Sequence, residues 1–317
     1  MLCVEVTKAN NNWYTKEASL QSPDSRSLSL ERFLFKIARN WVSGNTHEDA
    51  LSSARISNGK GISAIVNFLG EDTTDERVIH QTVNEYIMLL DLLETNSLDG
   101  SISIKPTQVG LRIGVDSCFF NLRQIAKKAR SLDKFMWLDI ESYPFVEDTI
   151  AIYLKLLRDY KEIGVAIQSY LKRSSSDLLH LLEQNANIRL VKGAYTENDG
   201  IAFRSIGKIN SNFSELMKMI FSSSDDKRNT IFAIATHDPR LINEAIELSI
   251  KFGTNKRKFE FQLLRGISDE MKTSLVKQGF RVCEFIPYGN QWLSYSVRRI
   301  KERKRNILLL ARSLIQS

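Results

Sequence analysis

Cysteine, histidine and proline are all scarce in this 317-residue sequence, and each scarcity removes a class of protein. Cys3, Cys118 and Cys283 are odd in number, far apart and form no CxxC, so neither a disulfide framework nor a zinc cage is encoded. Buried or idle thiols are the plain reading. Of four histidines, His47, His80 and His180 fall on helix-like segments, and no HxH or HExxH pairing occurs, so no metal is assigned. Five prolines and fifteen glycines exclude a collagenous or low-complexity chain. No apolar run reaches the roughly 18 to 20 residues that cross a bilayer, and the first residues show no signal-peptide core, so a soluble cytoplasmic protein is expected. What is present is ordinary for a globular enzyme, with 43% hydrophobic and 26% charged residues. The net charge of +7 favours an acidic partner, whether nucleic acid, an anionic membrane face or an anionic ligand, without choosing among them.

Residues 1–27 are polar and aperiodic and read as a loose leader. From Ser29 to Trp41 the residues Leu30, Phe33, Leu34, Ile37 and Trp41 recur at helical spacing. This division predicts a leader with a helical extension over 1–44 and one catalytic domain over 45–317. Strands are predicted at Ile62–Asn67, Ser101–Lys105, Phe135–Ile140, Ile163–Gln168, Ile188–Lys192, Ile231–Thr236, Phe259–Leu263 and Arg281–Ile286. Helix-length segments lie between them, for example Asp75–Glu94, Phe145–Tyr160, Glu197–Phe221, Pro239–Phe252 and Asp269–Gln278. Eight such alternations are the pattern of a closed parallel α/β barrel of the TIM type. An open doubly wound sheet also alternates, but its dinucleotide fingerprint has one weak match, at Gly59 to Ala64, placed before a strand rather than after one.

Buried parallel strands should be almost wholly apolar, yet most of these end in polar residues: Glu71 just past the first, then Lys105, Asp139 with Glu141, Gln168, Arg189 with Lys192, Thr236 with His237, and Gln262. Any one of these can be a salt bridge or a cap. In a barrel all strand C-termini open on one mouth, so together they predict a single polar cavity and an enzyme. Its basic members, Lys105, Arg189, Lys192 and His237, suit a ligand with phosphates. Gly193 supplies a strand break that would turn Lys192 and Tyr195 into the mouth, and Thr236-His237-Asp238-Pro239 reads as a strand end followed by an N-cap and a first-turn proline. Further on, Tyr295, Arg298, Arg299 and Glu302 fall on one helix face, where paired guanidinium groups can hold a carboxylate by two-pronged hydrogen bonds. Read blandly, the two arginines open a solvated basic run through Arg305. That reading leaves the aromatic approach Phe285 to Trp292, which leads from a strand end into the helix, without a reason.

At these residues the sequence resembles the proline dehydrogenase family. The matching stretches are Gly70-Glu71, ISIKPTQVG, FMWLDIES, IQSYLKRSSSDL, IRLVKGAY, ATHDPRLI, FEFQLLRG and FIPYGNQWLSYSVRRIKE, in order over some three quarters of the chain. The resemblance implies a distorted (β/α)8 barrel that holds FAD, oxidises L-proline to Δ1-pyrroline-5-carboxylate and passes the electrons to a membrane quinone, with a functional link to pyrroline-5-carboxylate dehydrogenase. Arg298 and Arg299 would bind the substrate carboxylate with Glu302 in support, and Tyr295 and Leu264 would wall its ring. Lys105, Asp139 and Tyr195 would line the substrate side. Gln168, Arg189, Lys192, Thr236 and His237 would contact FAD, Arg189 near the hydride-accepting nitrogen, and Glu71 would pair with Arg298 to close the site.

One departure stands out. Two positions before the proline of its PYG motif the family usually carries tyrosine, and this chain has Phe285, which keeps the aromatic wall and loses its hydroxyl. The alternative is therefore a flavin-dependent dehydrogenase or oxidase of another cyclic imino acid such as hydroxyproline. A nucleic-acid module fits less well, because the aromatics precede the basic run instead of interleaving with it. The apolar C-terminal stretch NILLLARSLIQS beside that run reads as a barrel-packing helix or as peripheral contact with the inner face of the cell membrane.

Overall fold

The β-branched and aromatic runs close into a barrel. A computed structural model describes residues 40–223, 230–293 and 295–296, all within a unit spanning 38–317. Its strands are β1 (Ser63–Phe68), β2 (Gly100–Ile104), β3 (Met136–Leu138), β4 (Ile163–Gln168), β5 (Asn187–Val191), β6 (Phe232–Ala235), β7 (Phe259–Leu264) and β8 (Arg281–Tyr288). Each pairs in parallel with the next, and β1 pairs with β8, so no strand edge is left open. The helices outside are α1 (His47–Asn58), α2 (Glu76–Thr95), α3 (Val115–Ser131), α4 (Val146–Leu157), α5 (Ser174–Glu183), α6 (Ile206–Ser222), α7 (Pro239–Lys251) and α8 (Asp269–Lys277). This is the α/β barrel the alternation predicts.

Element ends move by a residue or two from their sequence-based positions, and two differences have identifiable causes. The helix expected from Glu197 starts at Ile206. Asn198 Oδ1 accepts the N–H groups of Gly200 and Ile201, and the chain then bridges Leu171 to Ala202 across the end of β4, which holds 198–203 as a loop. At the other end β8 runs on through Pro287 to Tyr288, because Asn67 and Phe68 of β1 extend far enough to pair with both. Of the helix expected over 29–41 only Asn40 and Trp41 are described, and they form a turn; the leader lies outside the described residues.

Parity along the strands separates two cores. Outward residues such as Val66, Ile104, Leu138, Val165, Leu190 and Phe261 pack under the helices in one continuous apolar shell. Inside the barrel a smaller group, Ile65, Trp137, Ala233 and Cys283, fills the floor, with the half-buried Phe135 and Phe285 packed against it. Trp137 determines its neighbour: Gly164 lies beside it in register on β4, and any Cβ there would overlap the indole ring. With the lower barrel filled by one indole, the polar inward residues are lifted towards the C-terminal mouth.

Candidate active site

Arg189 lies at the centre of the barrel interior. Its side chain points inward from β5, 97% buried, with the guanidinium 5.2 Å from the Trp137 ring centroid. It donates to Asp139, to Ser103 Oγ at 3.0 Å and to Gln262 Oε1 at 3.4 Å. Burial lowers the basicity of Arg189, and the Asp139 carboxylate opposes that effect. Ser103 also donates to Asp139 at 2.8 Å, while Lys105 Nζ stands 3.6 Å from the other carboxylate oxygen. One carboxylate thus faces two buried cations, Arg189 and Lys105, with the buried Glu260 also acting on Arg189. Three strand ends predicted separately, at Lys105, Asp139 and Arg189, meet in this cluster.

A second group lies across β4 to β7. Lys192 follows the last residue of β5, and Gly193 sits at φ 103°, in the left-handed region. A Cβ on Gly193 would overlap the Tyr170 ring, so glycine is required there on both counts. The turn brings Lys192 Nζ 3.1 Å from Asp238, which also caps α7 by accepting from Arg240 N at 3.2 Å. Partial burial raises the Asp238 carboxyl, but Lys192 and Arg240 outweigh it and hold the group below the ordinary carboxylate range. Thr236 is buried beside it, and His237 Nε2 accepts the backbone N–H of Leu264 at 3.1 Å, which assigns the ring proton to Nδ1. Gln168 donates to the Ile140 carbonyl at 3.2 Å. Its Oε1, with Ser169 Oγ, Tyr170 Oη and Asn67 Oδ1, is buried without a hydrogen-bond partner among the described residues. Buried orphans cost free energy unless a ligand satisfies them, and residues 168–170 run alongside Val191 and Lys192, so this segment fits a bound group carrying phosphates and a hydrogen-bonding ring edge.

Leu264 ends β7 in register with Phe285 of β8, so these two line one wall of the mouth, and Phe285 is in turn in register with the fully buried Ile65. Phe285 is half-buried and faces inward. Tyr195 lies half-buried in the loop after Gly193, Glu71 half-buried in the loop from β1 to α2, and Tyr295 is buried. Arg298, Arg299 and Glu302 lie outside the described residues.

Several members of the site had weak signals in the sequence. Ser103 and Asn67 each occupy an inward position in an otherwise β-rich run, and Asn67 donates to the Ser103 carbonyl at 2.8 Å. Glu141 is 97% buried and accepts from Thr107 N at 2.9 Å and Thr107 Oγ1 at 2.8 Å. Burial pushes its carboxyl up to about 7 against those two donors. Its position two residues past Asp139 marks it as a strand-end polar group, but nothing in the spacing points to Thr107.

A sequence profile described as proline dehydrogenase matches residues 50–310. The chain belongs to the proline dehydrogenase family. It is 32% identical to proline dehydrogenase 1 of Bacillus subtilis subsp. natto over 279 residues, 88% of this chain and 91% of that protein. It is also 29% identical to the proline dehydrogenase of Deinococcus radiodurans over 301 residues, 93% and 95% of the two chains. Among solved structures, proline utilization A from Bdellovibrio bacteriovorus, inactivated by N-propargylglycine, superposes with a TM-score of 0.79 at 21% identity. That match covers 86% of this chain and 33% of the larger protein, and it shows the shared barrel.

Proposed function

We propose that this proline dehydrogenase family member oxidises L-proline to Δ1-pyrroline-5-carboxylate with FAD as hydride acceptor and delivers the electrons to a membrane quinone. The observation that carries the reading is family membership over 50–310 together with a barrel interior where Arg189 and Lys105 meet Asp139, and where buried polar atoms of Gln168, Ser169 and Tyr170 have no hydrogen-bond partner among the described residues. Gln168, Lys192, Thr236 and His237 are the residues that would hold FAD, with Arg189 fixed beneath by Asp139, Ser103 and Gln262. FAD supplies the two-electron acceptor. The protein's own contribution is orientation. Proline gives up a hydride from the ring carbon beside nitrogen and a proton from the nitrogen, which leaves a C=N bond. Leu264, Phe285 and Tyr295 confine the ring, while Lys105 and Asp139 present charge to its polar edge. Arg298 and Arg299 hold the carboxylate, braced by Glu302, and Glu71 closes over the bound substrate with Arg298.

The pyrroline product would then be taken on by a pyrroline-5-carboxylate dehydrogenase acting next. Quinone as acceptor would place the enzyme at the inner face of the cell membrane as a peripheral protein. No helix among the described residues is long and apolar enough to cross a membrane.

Steady-state oxidation of L-proline with an artificial electron acceptor tests the reading, and Arg299→Met tests its clamp. Losing one arm of a charge-assisted pair costs about 2 to 5 kcal/mol of binding, so the KM for proline should rise steeply with flavin content unchanged. An unaltered KM would put this arginine on a solvated face and remove the clamp.

A further inference from the structure

The loop from β1 to α2 carries Glu71, and its fixed side is a relay of hydrogen bonds rather than a packed core. Asp72, next to Glu71, has φ 55°, a left-handed conformation that few non-glycine residues adopt without support. Its backbone N–H donates to Thr107 Oγ1 at 2.9 Å. Thr107 belongs to the 3-10 turn Pro106–Val109 that follows β2, and it is fully buried. A hydroxyl has one proton to give, and here it goes to Glu141 Oε1 at 2.8 Å, while the Thr107 N–H donates to Glu141 Oε2 at 2.9 Å. With the Glu141 carboxylate as acceptor, a lone pair on Oγ1 is left for the Asp72 N–H. The same turn grips the start of the loop, where Gln108 Nε2 donates to the Phe68 carbonyl at 2.9 Å and lies so close to Gly70 that a Cβ there would approach within 2.8 Å. The loop also borders a cavity of about 180 Å³ lined by Gly70, Glu71, Thr73, Val78, Gln81 and Gln108 among others.

We propose that Thr107 is a positioning residue: through its hydroxyl it ties the Glu71 loop to the buried Glu141 carboxylate beyond β3 and so sets where Glu71 stands over the barrel mouth. Asp139 and Glu141 are two residues apart, so the strand end that neutralises Arg189 in the floor also anchors the loop above it. This inference rests on the reading of Glu71 as the residue that closes the site. A packing role for Thr107 would need only its volume, whereas the positioning role needs its hydroxyl, and the two separate experimentally.

The test compares flavin-loaded parent, Thr107→Val, which keeps shape and loses the hydroxyl, and Thr107→Ser, which keeps the hydroxyl. In Thr107→Val the KM for L-proline is expected to rise about tenfold while kcat and flavin content change less than about twofold, and Thr107→Ser should stay within about twofold of the parent throughout. Amide hydrogen exchange should accelerate about tenfold in the peptide covering 69–74 of Thr107→Val and remain at the parent rate in peptides from α2 and β2. Parent-like KM and exchange in Thr107→Val, or equal impairment of both variants, overturns the proposal. If Thr107→Val does not fold, Glu141→Leu, which leaves the hydroxyl proton no side-chain acceptor at 141, must show the same exchange confined to 69–74; a parent-like loop there overturns it too. A parent enzyme that does not oxidise proline refutes the proposed function, and the exchange data then still decide the role of Thr107.

Discussion

Phe285 shows how much a single atom decides in this site. Its ring sits in register between Ile65 and Leu264, so the mouth keeps a full aromatic wall but offers no phenol oxygen. A 4-hydroxyl group pressed against that wall would lose its water and gain no partner, at a cost of about 1 to 3 kcal/mol. Accordingly kcat/KM for L-proline should exceed that for trans-4-hydroxy-L-proline by at least about tenfold, the ratio that ~1.4 kcal/mol provides. Phe285→Ser should narrow the gap by opening space. Equal efficiencies on the parent enzyme would take Phe285 off the wall and favour the hydroxyproline alternative. The polar members of the site were legible for a plain reason: Lys105, Asp139, Gln168, Arg189 and Lys192 stand in or just past strands that burial should keep apolar. Ser103 and Thr107 were not, because small hydroxyl residues are unremarkable in strands and turns, and only the fold brings them against Asp139 and Glu141.

At the scale of elements, the turn that ends β5 and the loop that β3 anchors carry two further predictions. Gly193 combines a left-handed backbone with the Tyr170 ring in the place of a side chain. Gly193→Ala should therefore cost about 1 to 3 kcal/mol and shift Lys192 and Tyr195, lowering the flavin-to-protein ratio while far-ultraviolet dichroism still reports the barrel. A variant with the parent's flavin ratio would mean that the turn does not shape the cofactor's site. The second concerns pH. Burial raises the Glu141 carboxyl from 4.5 to about 7, opposed by Thr107 and Lys105 and reinforced by Glu71, so between those values the folded protein keeps a proton that the unfolded chain has released. Its contribution to stability is full below pH 4.5 and is lost as pH rises to 7, a change of about 3 kcal/mol at ~1.4 kcal/mol per pH unit. Denaturant titrations across this range should show a steeper fall for the parent than for Glu141→Gln, and parallel curves would remove Glu141 as the cause. Elements were legible wherever period and punctuation agreed, as at Asp238-Pro239 opening α7. The start of α6 was missed because the helical period of 206–222 runs backward into an Asn198 turn whose partner, the end of β4, is remote in sequence.

Across the whole molecule, closure of eight parallel strands is what brings scattered polar strand ends to one mouth, and it was predictable because each strand reads as a short apolar run between helices. The sequence also held the family's motifs in order, and the profile match over 50–310 agrees with them. The filling of the lower barrel by Trp137 against Gly164 was not legible, since it depends on the register of β3 against β4. The central claim is that this mouth holds FAD and presents it to proline, and the absorption spectrum of the purified protein tests it most directly. Noncovalent FAD bands that bleach when L-proline is added without oxygen are the expected result; FMN in their place, no flavin after reconstitution with FAD, or bands that proline leaves untouched would contradict it.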